Sequence, residues 1–158
     1  MSATSQHEIQ VGEIAPDFTL PSTGAAPVML SSFAGEKYVL LAFFPLAFTS
    51  VCTAEMCSFW EDVAKFEAAD TKVFGISVDH TASQKAFQEK AKFSIELLSD
   101  FRRDVSRAYG VLLEEQNFSK RAYFLIDRDG IVRWKNVEQE LGDKRDNAEL
   151  LTAIRSLP

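Results

Sequence analysis

Residues 38–52 read YVLLAFFPLAFTSVC, and this stretch decides the fold. Tyr38 to Phe44 is an unbroken apolar run. Such a run predicts a strand with both faces buried, which places it inside a sheet covered on two sides. Pro45 ends the strand, Leu46 to Val51 turns the chain, and Cys52 to Ala69 reads as a helix. In that helix Val51, Met56, Phe59, Val63 and Phe66 recur at steps of three to five, with Glu55, Glu61, Asp62, Lys65 and Glu67 mostly between them.

Outward from this core the chain alternates. Lys72 to Val78 is a second buried strand, and Thr81 to Lys92 is a helix with Thr81 or Ser83 as its cap. Glu96 to Leu98 is a short strand, and Arg103 to Tyr109 is a short helix stopped by Gly110. Arg121–Ile126 and Ile131–Val137 flank Asp127-Arg128-Asp129-Gly130, a hairpin pattern, and Asn147 to Leu157 is a last amphipathic helix. Before the core, Ala15 to Pro21 reads as a short edge strand with Val28 to Leu30 as its hairpin partner; Ser31 to Ala34 is a helical turn stopped by Gly35. The first dozen residues look loose, residues 1–8 most of all. The order β–α–β–α–β–α–ββ–α predicts an α/β fold of the thioredoxin-like type. It is a three-layer sandwich with a central mixed sheet, flanking helices and an N-terminal β-hairpin extension. In such sheets chemistry sits beyond the carboxyl ends of the strands, here at Pro45 to Cys52.

With 158 residues the chain makes one ordinary domain, 1–158, which buries roughly 68–70% of its unfolded surface. A net charge of −6 with scattered basic residues argues against nucleic acid and anionic membranes as partners. No apolar run is long enough for a bilayer, and the N-terminus lacks the pattern of a secretory signal, so a cytoplasmic protein is expected. The two cysteines, Cys52 and Cys57, and the two histidines, His7 and His80, show no zinc-ligand spacing. In a reducing compartment such a cysteine pair points to chemistry. A strand that delivers Cys52 to the first turn of a helix places it among unpaired N–H groups at the positive end of the dipole, where a thiolate is favoured. The same N–H groups can hold an oxygen on which negative charge develops.

The segment PLAFTSVC, residues 45–52, resembles the Pro-x3-Thr-x2-Cys signature of the peroxiredoxin family. Glu55, Leu98-Ser99-Asp100, Tyr109-Gly110-Val111 and Arg121 opening RAYFLIDRDG look like the same family, in order, from residue 15 to the closing hairpin. PLAFTSVC and RAYFLIDRDG lean toward the alkyl hydroperoxide reductase E branch, whereas the Cys-x4-Cys spacing of Cys52 and Cys57 is that of the bacterioferritin-comigratory branch.

The resemblance implies a thiol peroxidase that reduces hydrogen peroxide and organic hydroperoxides. Cys52 attacks the peroxide and becomes a sulfenic acid, Thr49 hydrogen-bonds thiolate and peroxide, and Arg121 brings a permanent charge. Pro45 shields the sulfur, and Glu55 fixes Arg121, unless it is an ordinary first-turn acid. No prosthetic group is implied. Cys57 either resolves the sulfenic acid as an intramolecular disulfide or is a bystander. On one helix the two Cα atoms stand roughly 8–9 Å apart, beyond the ~7 Å a disulfide tolerates, so resolution requires unwinding. Thioredoxin or glutaredoxin would reduce a disulfide, and a low-molecular-weight thiol or dedicated redoxin a lone sulfenic acid. Phe48, Phe101 and Phe118 form either an apolar patch, which the resemblance implies is covered in a homodimer, or only the walls of the pocket. Phe44, Leu46 and Phe48 suggest an apolar pocket lining. A thioredoxin-type oxidoreductase is disfavoured by the four-residue spacing; a redox sensor or holdase would share the first step and then stall.

Overall fold

The apolar run folds as a strand over Tyr38–Phe43 with all 6 residues buried, in a computed structural model that describes residues 6–140 and 145–157. In chain order the strands are β1 (Thr19–Leu20), β2 (Val28–Met29), β3 (Tyr38–Phe43), β4 (Thr71–Ser77), β5 (Glu96–Ser99), β6 (Leu112–Leu113), β7 (Phe118–Ser119), β8 (Ala122–Ile126) and β9 (Val132–Val137). The helices are α1 (Ser50–Glu61), α2 (Val63–Ala68), α3 (Thr81–Ala91), α4 (Asp104–Ala108) and α5 (Asn147–Arg155).

The main sheet runs β5-β4-β3-β8-β9. β3, β4 and β5 are parallel, and β8 and β9 add antiparallel, which is the expected mixed sheet. Two-residue alternation sorts the side chains between its faces. Val39, Leu41 and Phe43 of β3 and Ala122, Phe124 and Ile126 of β8 meet Phe18, Leu20, Leu30, Val105 and Tyr109. Leu40, Ala42 and Phe44, with Tyr123 and Leu125, meet Met56 and Phe59 of α1, Phe66, Phe87 of α3 and Leu150, Leu151 and Ile154 of α5. One face therefore carries the N-terminal hairpin and α4, and the other carries α1, α2, α3 and α5. Gly75 in β4 marks how close the second layer lies. A Cβ there would stand 2.7 Å from Leu97 Cδ2 and 2.9 Å from Met56 Sδ.

The hairpin β1–β2 pairs as expected, Thr19 with Met29. Beyond it the chain covers the open edge of β5: Thr23 N–H donates to Leu97 O at 3.0 Å, and Ser99 N–H to Pro21 O at 2.9 Å.

Several expectations need correction. The helix expected over 52–69 begins at Ser50, with Thr49 as N-cap, and breaks at Asp62. Asn147 Nδ2 enters at the break and donates to Ser58 O and Asp62 Oδ2, both at 2.9 Å. The cap of α3 is His80, whose Nδ1 accepts from Ala82 N–H, and not Thr81 or Ser83. The hairpin β6–β7 was not expected, and it takes Phe118 out of the supposed loop and half-buries it.

At the start of the described chain, backbone and side chain are hydrogen-bonded to the rest of the fold. Gln6 exchanges two hydrogen bonds with Leu112 at 2.9 and 3.1 Å, and Ile9 N–H donates to Tyr109 O at 3.2 Å. Gly110 makes this possible, because a Cβ there would stand 2.3 Å from Glu8 Cα. The expectation of flexibility for residues 1–5 lies outside the described residues. No helix among the described residues is long and apolar enough to cross a membrane.

Candidate active site

The register of β3 and β8 builds the site. Phe43 pairs with Ala122, so the residue before Ala122, Arg121, arrives at the carboxyl end of β3, where the chain turns toward α1. Alternation along β8 puts Arg121 and Tyr123 on the face covered by α1. Cys52 is the third residue of α1 and is 0% exposed. The first turn of a helix has N–H groups without partners inside it, so the sulfur sits at the end of α1 that favours negative charge. Arg121 Nη2 donates to Cys52 Sγ at 3.1 Å.

Arg121 and Glu55 are each 2% exposed and pair at 2.9 Å, Nη1 to Oε1. Glu55 is one turn beyond Cys52 on α1, so one helix presents both the sulfur and the carboxylate to the guanidinium. Burial works against the charge on Arg121, but Glu55 and Cys52 together outweigh it and hold the pKa above its ordinary value. A second partner of Glu55 was not foreseen: Tyr123 O–H donates to Glu55 Oε2. Burial, then the neighbouring Glu55, pushes the Tyr123 phenol far above its ordinary value, so it remains a donor. A buried Tyr needs a partner for its hydroxyl, and that was the one signal available in the sequence.

The loop between β3 and α1 is held from below. Pro45 is buried. Ala47 N–H donates to Asp79 Oδ2 at 2.8 Å, and Ser77 Oγ donates to the same oxygen at 2.7 Å. Asp79 thus ties the loop to the end of β4, a role the sequence did not suggest. Phe48 has φ +69, a left-handed conformation that is unusual for a bulky side chain and typical of functional loops. Its ring is 51% exposed and lies 5.3 Å from Phe87. Phe44 is 0% exposed, so of the three residues expected to line an apolar pocket only Phe48, exposed, and Leu46, half-buried, reach the loop surface. Thr49 is exposed, and its hydroxyl donates to Leu46 O at 3.1 Å; here it closes the loop and does not touch the sulfur.

Cys57 is apart from this cluster. It is half-buried on the far side of α1, and its thiol donates to Ala91 O at 3.4 Å. Burial, then Glu61 one turn on, pushes its thiol pKa up. No disulfide joins Cys52 and Cys57. The structure therefore brings together Cys52, Arg121 and Glu55, buries Pro45 at the start of the loop, leaves Thr49 at the rim, and keeps Cys57 outside.

Comparison with known proteins gives the family. The model of the AhpC/TSA family matches residues 11–135. Alkyl hydroperoxide reductase E of Mycobacterium tuberculosis is 38% identical over 151 residues, covering 94% of this chain and 98% of the relative. The chloroplastic 2-Cys peroxiredoxin BAS1 of Spinacia oleracea is 33% identical over 93% of this chain and 59% of its own length. Among solved structures, the reduced 2-Cys peroxiredoxin of Plasmodium vivax superposes with a TM-score of 0.87 at 33% identity, covering 92% of this chain and 80% of that one. Fold, family match and relatives agree: the chain belongs to the AhpC/TSA family and is a peroxiredoxin, a thiol-dependent peroxidase.

Proposed function

We propose that Cys52 is the sulfur that reduces the peroxide, that Arg121 holds and polarises the peroxide against it, and that Cys57 resolves the product. The observation that carries this reading is the Arg121 Nη2 to Cys52 Sγ contact at 3.1 Å inside the first turn of α1. The Cys52 thiolate attacks the outer oxygen of a hydroperoxide. An S–O bond forms, the O–O bond breaks, and water or an alcohol leaves after taking a proton. The charge that develops on the leaving oxygen lies near a guanidinium and helix N–H groups, which are donors already in place. Pro45 keeps bulk water from the sulfur, and Glu55 keeps Arg121 in the site. When peroxide enters, the Thr49 hydroxyl turns from Leu46 O to the oxygen pair. Leu46 and Phe48 at the loop surface suit organic hydroperoxides as well as hydrogen peroxide.

In the second step the Cys57 thiolate attacks the sulfenic sulfur, the S–S bond forms and hydroxide leaves as water. Cys52 and Cys57 share the continuous helix α1, so its first turns must unwind. A helix end is among the least expensive parts of a fold to open. Thioredoxin or a glutaredoxin then reduces the disulfide. One observation favours a second reading, a one-cysteine peroxidase served by a small thiol: the Cys57 thiol is already engaged with Ala91 O. Thiols that must be reduced after each turnover suit the cytoplasm. The exposed rings of Phe48 and Phe101 support a homodimer paired through the end of the sheet that carries the site.

The test is the intact mass of the reduced protein after one equivalent of hydrogen peroxide. A loss of about 2 daltons supports Cys57 as resolver; a gain of about 16 or 32 daltons makes it a bystander. A Cys52→Ser variant that still consumes peroxide at the wild-type rate would overturn the assignment of Cys52.

A further inference from the structure

We propose that Tyr123 is a positioning residue of the peroxidase reaction: its phenol fixes the Glu55 carboxylate so that Arg121 keeps one terminal nitrogen on the Cys52 sulfur. The inference rests on the roles given above to Cys52 and Arg121.

The contacts form a chain. Arg121 Nη2 donates to Cys52 Sγ at 3.1 Å, and Arg121 Nη1 donates to Glu55 Oε1 at 2.9 Å. Tyr123 O–H donates to Glu55 Oε2. The Tyr123 oxygen in turn accepts the backbone N–H of Arg145 at 3.1 Å. Arg145 lies just before α5, and its Nη2 donates to Glu138 Oε2 at 3.2 Å. The phenol is thus held from both sides, by α1 through Glu55 and by the approach to α5 through Arg145. Its place in the sheet fits this use. Tyr123 pairs across β3–β8 with Ala42, whose small side chain leaves room for the ring, and Tyr123 is 0% exposed.

The physical need comes from how guanidinium and carboxylate prefer to meet. Their favoured arrangement is a fork with two parallel hydrogen bonds, and in a buried site that preference is strong. A Glu55 carboxylate released from the phenol can turn and claim both terminal nitrogens of Arg121, which draws Nη2 away from the sulfur. With Oε2 held by Tyr123, the carboxylate presents Oε1 to Nη1, and Nη2 stays on Cys52. Tyr123 touches neither sulfur nor peroxide, so it acts through Glu55 and Arg121 only.

The test is Tyr123→Phe, which keeps ring and burial and removes only the hydroxyl. Two second-order rate constants of Cys52 are measured under the same conditions, oxidation by hydrogen peroxide and alkylation by iodoacetamide. Their ratio cancels any change in thiolate fraction and isolates the help given to the peroxide. The ratio is expected to fall about tenfold or more, less than the hundredfold or greater cost of deleting a transition-state donor outright. Tyr123→Met, a similar apolar volume, gives the same fall if the Phe variant folds poorly. An unchanged ratio overturns the inference, whether both constants stay at the wild-type value or both drop together. A wild-type protein that alkylates but is not oxidised would instead overturn the roles of Cys52 and Arg121.

Discussion

At the scale of single residues, the site is governed by two buried charges that need each other. Arg121 and Glu55 are each 2% exposed, and removing one partner of such a pair is far worse than removing both, because the survivor keeps its desolvation cost. Arg121→Ala should therefore lower stability by about 3–5 kcal/mol and abolish rapid peroxide reduction. The double variant Arg121→Ala, Glu55→Ala should regain part of that stability and none of the activity. Urea unfolding together with peroxide consumption checks this. A double variant no more stable than the single one would mean that the pair is not coupled. Cys52, Arg121 and Glu55 were legible in the sequence because the first turn of a helix and a family signature mark them. Tyr123 and Asp79 were not, because each reaches the site only through tertiary contacts, to Glu55 at a separation of 68 residues and to Ala47 at 32. No local pattern encodes such pairings.

At the scale of elements, the proposed resolution by Cys57 gives α1 two tasks that conflict. Wound, it presents Cys52 and Glu55 to Arg121. Unwound, it lets Cys57 reach Cys52. The Cys57 thiol is held above its ordinary value by burial and by Glu61, and this sets the sign of a pH effect. Between its ordinary value and the higher folded one, the unwound helix releases the proton that the wound helix keeps, so rising pH favours unwinding. Unwinding also yields the thiolate that attacks. The share of disulfide among the oxidised products, read by intact mass after peroxide treatment, should therefore grow several-fold between about pH 7 and pH 9. Cys57→Ser should form no intramolecular disulfide at either pH. A disulfide share that stays flat in the wild type would show that burial of this thiol does not limit resolution. The sequence announced this helix but not its limits. The start at Ser50 depends on the turn after Pro45, and the break at Asp62 depends on Asn147, 85 residues away. Apolar periodicity runs through both points unchanged, since it records which face is covered and not where the backbone is interrupted.

At the scale of the whole molecule, two ends of the sheet differ in their finish. The β5 edge is covered by Pro21 to Thr23, and both sheet faces are packed with apolar side chains. The end that carries the site leaves large rings in the open, with Phe48 51% and Phe101 56% exposed. The Phe101 ring stands edge-on to His80 at 5.7 Å, and His80 caps α3 directly after Asp79, which holds the active loop. In the proposed homodimer a two-fold copy of the same chain covers these rings. The order of α/β elements made the mixed sheet readable in advance, but which rings would stay outside was not. Phe118, expected among them, is half-buried in β7. Phe101→Asp tests the remaining patch. An exposed ring contributes little to the fold, so the variant should melt within a few degrees of the wild type. Sedimentation equilibrium should show the wild type as a dimer at micromolar concentration and the variant as a monomer. A monomer also leaves the loop around Phe48 uncovered, so its peroxide rate constant should fall while the variant stays folded. A wild type that sediments as a monomer would remove the dimer from the mechanism and leave Phe48 and Phe101 as walls of the peroxide's entrance alone.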